Sequence, residues 1–209
     1  MITVLIDSST DSLLVALVDG DTVLAEHSSG ERAQALLTLL DAVVRETGLT
    51  RADLARVVVC TGPGGFTGLR VGVATARGLA AALDLPIAGV STLASVAATG
   101  VVNGSPTVVA SVDAKRGELF VQRFDVISAH AGDRPDAVVA VAPFEIIAAD
   151  DLASYAGDLL VCPGPPTAMG MLIAANGATF TTPANIVPEY GRDADAKPSA
   201  PDIRGTSQR

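Results

Sequence analysis

The residues best placed to do chemistry lie in and around Gly62-Pro63-Gly64-Gly65-Phe66-Thr67-Gly68. Three glycines and a proline within four residues force a turn there. Such a turn at the start of a helix aims free backbone N–H groups and a positive dipole end outward, the chemistry of a phosphate seat. The nucleotide spacings nevertheless fail. No lysine opens the following helix, as a Gly-x-x-x-x-Gly-Lys-Ser/Thr loop requires, and Thr67 stands where a dinucleotide fingerprint has its third glycine. A helix that must sit close on a sheet explains the same loop equally well. A second stretch, Asp7-Ser8-Ser9-Thr10-Asp11, reads from its residues as a polar turn held by side-chain-to-backbone bonds. Metal chemistry has few ligands to draw on. His27 and His130 fall in separate segments, whereas two imidazoles on one helix face need a spacing such as His-x-x-x-His. Cys60 and Cys162 both lie in apolar runs, as buried free thiols usually do, and form neither a metal spacing nor a disulfide framework.

Regular elements must hold these loops. Residues 56–60, Arg56-Val57-Val58-Val59-Cys60, make a short β-branched run that predicts a buried strand. Residues 67–83 contain no proline and many helix formers, with Thr67 placed to cap the helix through its hydroxyl. The unit is strand, glycine loop, helix. Upstream, residues 2–6, 13–18 and 22–27 read as three strands, the last two joined through Gly20-Asp21.

Residues 31–47 carry the helical period in Ala33, Leu36, Leu37, Leu40, Val43, Val44 and Thr47. Ala35, Leu39 and Ala42 add a second stripe, so the apolar arc widens to roughly 220°, against the ~100° that one buried face requires. The helix after the glycine loop behaves alike. Leu69, Val73, Ala76, Ala80 and Leu83 share one face; Val71, Gly78 and Ala82 share the opposite one. Arg70 and Arg77 form its charged edge, and Gly68, Gly72 and Gly78 remove side-chain bulk so that another backbone can come close, at some cost in helix propensity. Two adjacent double-faced helices predict a protein partner; burial of both between two lobes of this chain is the competing reading.

Composition narrows the classes. The chain has 209 residues, 49% apolar but only 3% aromatic and without tryptophan, so its core must be built from Ala, Val and Leu. A net charge of −9, with no basic cluster beyond Lys115-Arg116, argues against tight RNA binding by this chain alone. The N-terminus lacks the basic start of a signal peptide and no apolar run reaches membrane length, which predicts a soluble, cytoplasmic protein.

The remaining elements follow in order. Residues 87–90 read as a buried strand and 91–98 as a small helix; 100–106, rich in Gly, Asn, Ser and Pro, as a lobe boundary. Two strands, 107–112 and 118–124, flank Asp113-Ala114-Lys115-Arg116-Gly117, whose charges read as a solvated turn or a polar contact to a partner. A loop at 128–136, strands at 138–142 and 159–162, a short helix at 150–155 and a helix ending near Gly177 complete the fold. Residues 193–209 are polar and Pro-containing, and are expected to be disordered without a partner.

The wording of the glycine segment is specific. Gly62-Pro63-Gly64-Gly65-Phe66-Thr67-Gly68-Leu69-Arg70-Val71-Gly72 and its continuation Val73-Ala74-Thr75-Ala76-Arg77-Gly78-Leu79-Ala80 resemble the signature of the TsaB (YeaZ) family, with Gly65 where that family usually has Ser. The likeness extends to Gly89-Val90-Ser91-Thr92-Leu93, to the 113–120 hairpin with Lys115 in place of Arg, and weakly to Val187-Pro188-Glu189-Tyr190-Gly191-Arg192. It covers most of residues 1–125. The resemblance implies an α/β protein of the actin-like ATPase (RNase H-like) fold: an N-terminal lobe, 1–102, with the partner-binding helices, a smaller lobe, 103–192, and the tail 193–209. In that superfamily the loop matching Asp7, Ser8, Ser9 and Thr10 faces nucleotide phosphates, and here it implies a vestige of one, while Gly62, Gly64, Gly65, Thr67 and Gly68 form a structural loop.

By the same resemblance the chain is a non-catalytic subunit without cofactor. It pairs with TsaD, and with the ATPase TsaE, for threonylcarbamoyl transfer to the adenosine 3′ of the anticodon in tRNAs reading codons that begin with A. The implied interface is Ala35, Leu39, Ala42, Arg70, Val71, Ala74, Arg77, Gly78 and Ala82, used for a homodimer when TsaD is absent. tRNA is met only through the complex. The alternative is an actin-like kinase or ATPase, which needs a second phosphate loop for which only 113–117 and 162–166 are candidates. A peptidase lacks its histidine pair.

Overall fold

The computed structural model describes residues 1–30, 35–100, 107–128 and 135–191. The start of the first expected helix, with Ala33, most of the boundary at 100–106, His130, Arg192 and the tail 193–209 lie outside these residues.

Five strands form the first sheet: β1 (Ile2–Asp7), β2 (Leu13–Asp19), β3 (Thr22–Ser29), β4 (Leu54–Gly62) and β5 (Ile87–Ser91), in the order β3-β2-β1-β4-β5. The first three are antiparallel neighbours, and β4 and β5 join parallel to β1. The unbroken apolar runs of β1, β2 and β4 follow from cover on both faces. Val4, Ile6, Val15, Leu17, Val57 and Val59 point into one buried cluster with α1 (Leu36–Thr47) and α2 (Phe66–Ala82). The alternate residues Leu5, Leu14, Ala16, Val58 and Cys60 point into another, with α5 (Ala168–Ala174). Period-two alternation thus serves two cores at once.

The second sheet holds β6 (Thr107–Lys115), β7 (Glu118–Ile127), β8 (Ala137–Ala140), β9 (Glu145–Ala148) and β10 (Leu160–Pro163), with β10 parallel to β6 and both β8 and β9 on the far side of β7. One face buries Val108, Ala110, Val112, Phe120 and Phe124 against α3 (Thr92–Gly100). The other carries Val109 and Val121 against Ala156 of the short α4 (Leu152–Ala156).

The helices do not respect a division at residue 102. Although α3 precedes it, α3 covers the second sheet; α5 follows it and covers the first. These two helices meet in the middle layer, where small residues let them approach: a Cβ on Gly170 would stand 2.2 Å from the Ser95 carbonyl oxygen. An aromatic-poor core suits this arrangement, because Ala and Gly permit close helix contact that larger side chains would forbid. The chain then returns to the first sheet. Ile87 and Thr181 exchange backbone hydrogen bonds of 3.1 and 2.9 Å, and Ile186 is buried in the first sheet's core. Within the expected smaller lobe of 103–192, α5, Phe180 and Ile186 therefore pack in the cores of the first sheet.

Candidate functional site

The β1–β4 register sets the first group of side chains. Ile6 pairs with Val59, so Asp7, the last residue of β1, and Cys60 of β4 stand side by side, both buried. Asp7 Oδ1 accepts the Ser9 N–H at 3.0 Å and the Ser9 hydroxyl at 2.5 Å, while Oδ2 has no hydrogen-bond partner among the described residues. Burial raises the Asp7 pKa above the ordinary aspartate value, and the bonds from Ser9 oppose that only in part. Burial, together with the neighbouring Asp7, also holds the Cys60 thiol well above its usual range, so it stays protonated.

The turn after β1 is clamped beneath the glycine helix. Gly65 N–H donates to the Ser9 carbonyl at 2.7 Å, and the Ser8 hydroxyl donates to the Gly68 carbonyl at 2.8 Å. A Cβ on Gly64 would stand 2.2 Å from the Ser9 carbonyl oxygen, and one on Gly68 2.0 Å from that of Ser8. Gly72 faces the Ser8 hydroxyl as closely. Gly68 and Gly72 thus make room for this chain's own loop, whose Ser8 is what comes close to them. One expectation changes. The Gly65 N–H, read as part of an open phosphate seat, is spent on Ser9. The cap also differs: α2 begins at Phe66 with Gly65 at its N-cap, and no side chain, Thr67 included, caps it.

A cleft of about 490 Å³ opens between the sheets, lined by Ser9, Thr10, Asp11 and Gly65 from the first and by Val112, Asp113, Lys115, Leu119 and Pro163 from the second. Of the four residues read as a vestigial phosphate loop, Ser9 and Thr10 reach this wall; Asp7 and Ser8 are enclosed by protein. Lys115 Nζ donates to Asp11 at 2.6 Å and to Asp113 at 2.8 Å across the cleft mouth. These bonds raise the Lys115 pKa and lower that of Asp113. The charged hairpin thus spends its ammonium within the chain. Its turn is left-handed at Lys115, Arg116 and Gly117, which swings Lys115 back over the cleft.

The outer face of the α2 helix is the other candidate surface. Arg70, Ala74, Gly78 and Ala82 are exposed, and Val71 and Arg77 are half-buried. Among the described residues nothing approaches within 4 Å of where a Gly78 Cβ would lie. On α1 the expected stripe shifts: Ala35 and Leu39 lean on this chain's own core, Ala42 is half-buried, and Leu37, assigned to the core by its period, is 64% exposed. Arg70 Nε donates to the Tyr190 hydroxyl at 2.9 Å, with its guanidinium 3.9 Å from the Phe66 ring centre and Phe66 stacked 4.8 Å from Tyr190. Sequence reading missed Phe66 and Tyr190; the signal was that aromatics are so scarce that each one left near a motif has a partner to find.

Among the described residues no three His, Cys, Asp or Glu side chains gather as a metal site, and His27 lies 2.6 Å from Glu46 at the surface. No described helix is long and apolar enough to cross a membrane.

The buried carboxyl makes a pH prediction. A raised native pKa means that the folded state holds its proton more tightly than the unfolded chain. The Asp7 contribution is therefore most favourable below the ordinary value of 3.8 and is lost as pH rises through the native pKa. Asp7→Asn keeps an oxygen for Ser9 and removes the charge. Urea unfolding across pH should show the variant more stable than the parent at neutral pH, with the difference shrinking on acidification; parallel curves would mean that Asp7 does not titrate in the native range.

A family model described as TsaD, tRNA N6-adenosine threonylcarbamoyltransferase, matches residues 21–186. The Escherichia coli tRNA threonylcarbamoyladenosine biosynthesis protein TsaB is 36% identical over 118 residues, 55% of this chain and 51% of that protein. An uncharacterized Mycobacterium tuberculosis protein is 35% identical over 203 residues, 93% of each chain. YeaZ from Pseudomonas aeruginosa aligns with a TM-score of 0.75 at 20% identity, over 90% of this chain and 99% of that one. Another P. aeruginosa protein, described as similar to peptidase YeaZ, aligns at 0.76 and 20%, over 91% and 99%. Against E. coli TsaB the chain spans about half of the relative's length, 51%.

Two mixed five-stranded sheets with helices between and outside them, the first in the order β3-β2-β1-β4-β5, define a two-sheet α/β protein with the fold of P. aeruginosa YeaZ. The chain belongs to the family whose model is described as TsaD, tRNA N6-adenosine threonylcarbamoyltransferase, and it is similar to E. coli TsaB and P. aeruginosa YeaZ.

Proposed function

We propose that this chain is the non-catalytic subunit of a tRNA threonylcarbamoyladenosine-forming complex, acting in the cytoplasm by docking on TsaD, with TsaE joining the pair. Transfer of threonylcarbamoyl to the adenosine 3′ of the anticodon then belongs to TsaD. The observation that carries the reading is the exposed small-residue face of α2, with Ala74, Gly78 and Ala82 open to a second backbone. The match to a TsaD family model supports a partner of like fold, which can offer the matching pair of helices. The net charge of −9 supports contact with tRNA through the complex rather than alone. In the absence of TsaD the same face joins two copies of this chain.

The enclosure of Asp7 and the engaged Gly65 N–H favour this reading over an ATPase, because a metal–phosphate group in the cleft would need both. The purified chain is expected to turn over no ATP and cleave no protein. Steady ATP hydrolysis by a clean preparation, abolished in Asp7→Ala, would reverse the assignment. Isolation of native complexes from cells, with every co-purifying subunit identified, tests the docking reading; recovery of this chain without a TsaD protein would overturn it.

A further inference from the structure

The last described stretch ties the two sheets together. Thr181 pairs with Ile87 at the edge of the first sheet, and Ile186 enters that sheet's core. Glu189 N–H then donates to the Thr61 carbonyl at 2.6 Å, and its own carbonyl fills the space beside Gly62, whose φ of +123° and missing Cβ both admit it. Tyr190 lies on Phe66 and takes the Arg70 hydrogen bond at the first turn of α2. One residue later the chain touches the second sheet: a Cβ on Gly191 would stand 2.1 Å from the Phe120 ring. That ring is 2% exposed and held edge-on against Phe144, so it has no room to yield. Next to Phe120 is Leu119, which lines the cleft opposite Gly65.

We propose that residues 181–191 are a strap that fixes the width of the cleft between the sheets. Its anchor is the Arg70–Phe66–Tyr190 stack, and its working end is the Gly191–Phe120 contact. Lys115, bridging to Asp11 at the mouth, is a second and weaker tie, since Asp11 and Lys115 are largely exposed and solvent screens the pair. Opening the strap separates Gly65 from Leu119 and enlarges the cleft. Taken with the docking reading, a partner seated over Arg70 also covers the anchor, and so holds the strap down; the strap itself is a property of the chain alone and is tested without a partner.

Both native cysteines are buried, so Arg51→Cys and Asp150→Cys, at exposed positions on either side, accept spin labels selectively. The label separation is measured in the full chain by pulsed electron resonance, in the labelled parent and in two strap variants. Gly191→Ala wedges the end away from Phe120 and leaves the stack intact; Tyr190→Ala removes the anchor and leaves the end unhindered. Each variant is expected to keep the parent's circular dichroism, to shift and broaden the distance distribution, and to raise hydrogen exchange at least several-fold in the 113–119 hairpin. An unchanged distribution and unchanged exchange in either folded variant would overturn the proposal. Because one substitution is confined to a loop surface, loss of folding in the other does not remove the test.

Discussion

Gly68→Val is expected to abolish stable folding, while Gly78→Ala, further along the same helix, raises the melting temperature. The difference is one of surroundings, not of residue type. A Cβ at position 68 meets the Ser8 backbone carbonyl at 2.0 Å, and the β-branched carbons of valine add to that overlap. Ser8 cannot retreat, because it follows the buried run of residues 3–7 and its hydroxyl is bonded to Gly68 itself. Either α2 lifts from the sheet or the turn after β1 breaks, and both uncover the core at Leu69 and Val73. Overpacking of this kind costs about 3 kcal/mol or more where backbone must move. At position 78 nothing among the described residues lies within 4 Å, so alanine gains about 1 kcal/mol of helix propensity. Thermal unfolding followed by circular dichroism separates the two. If Gly68→Val melted like the parent and yet failed to support tRNA modification in cells, a ligand over the loop would replace packing as the reason for the glycine. If Gly78→Ala were more stable but paired less well with TsaD, the open position would be explained as space kept for the partner.

Ala74→Asp is expected to leave the chain folded and to eliminate its association with TsaD and with itself. Ala74 is exposed on α2 between Arg70 and Gly78, so the free chain accepts a carboxylate there at little cost. In an apolar helix-to-helix interface the same carboxylate is buried without a partner, which costs several kcal/mol and weakens binding by roughly a hundredfold or more. Size-exclusion chromatography with and without TsaD, alongside circular dichroism, reads both halves of the prediction. Normal pairing by Ala74→Asp would move the interface elsewhere. Leu39, on the sequence the natural choice for this experiment, is less informative: it leans on the chain's own core, so Leu39→Asp is expected to lower stability as well as pairing. Leu37→Asp, at an exposed position, is the cleaner substitution on α1.

Much of the architecture was legible because strand and helix periods report burial directly. The runs at 2–6, 13–18 and 56–60 predicted strands, the last of them buried, and became β1, β2 and β4, and the face of Leu69, Val73, Ala76 and Ala80 is the buried face of α2. β9 was missed, since Glu145-Ile146-Ile147-Ala148 is too short to show a period and becomes a strand only by pairing with β7. Leu37 was misplaced for a related reason. A helical wheel assigns an angle to each residue but does not say where the sheet lies beneath it, and α1 sits at the sheet's edge over β2 and β3.

The amino-acid sequence by itself determined the local elements, the family likeness carried by the glycine segment, and the character of a core made from small aliphatic residues. Each of these depends on neighbours along the chain, or on residue type alone. What only the tertiary structure decided was which surface each glycine faces. Gly68, Gly72 and Gly78 are equivalent in a linear reading, yet two press on the turn after β1 and the third faces open space. The same holds for the crossing of α3 and α5 between the sheets and for the stacking of Tyr190 on Phe66 and Arg70. Contacts between residues as distant as 70 and 190 carry no periodic trace in either segment. They arise when packing brings the two stretches together, because the free energy of such a contact depends on shape and burial at one place in space.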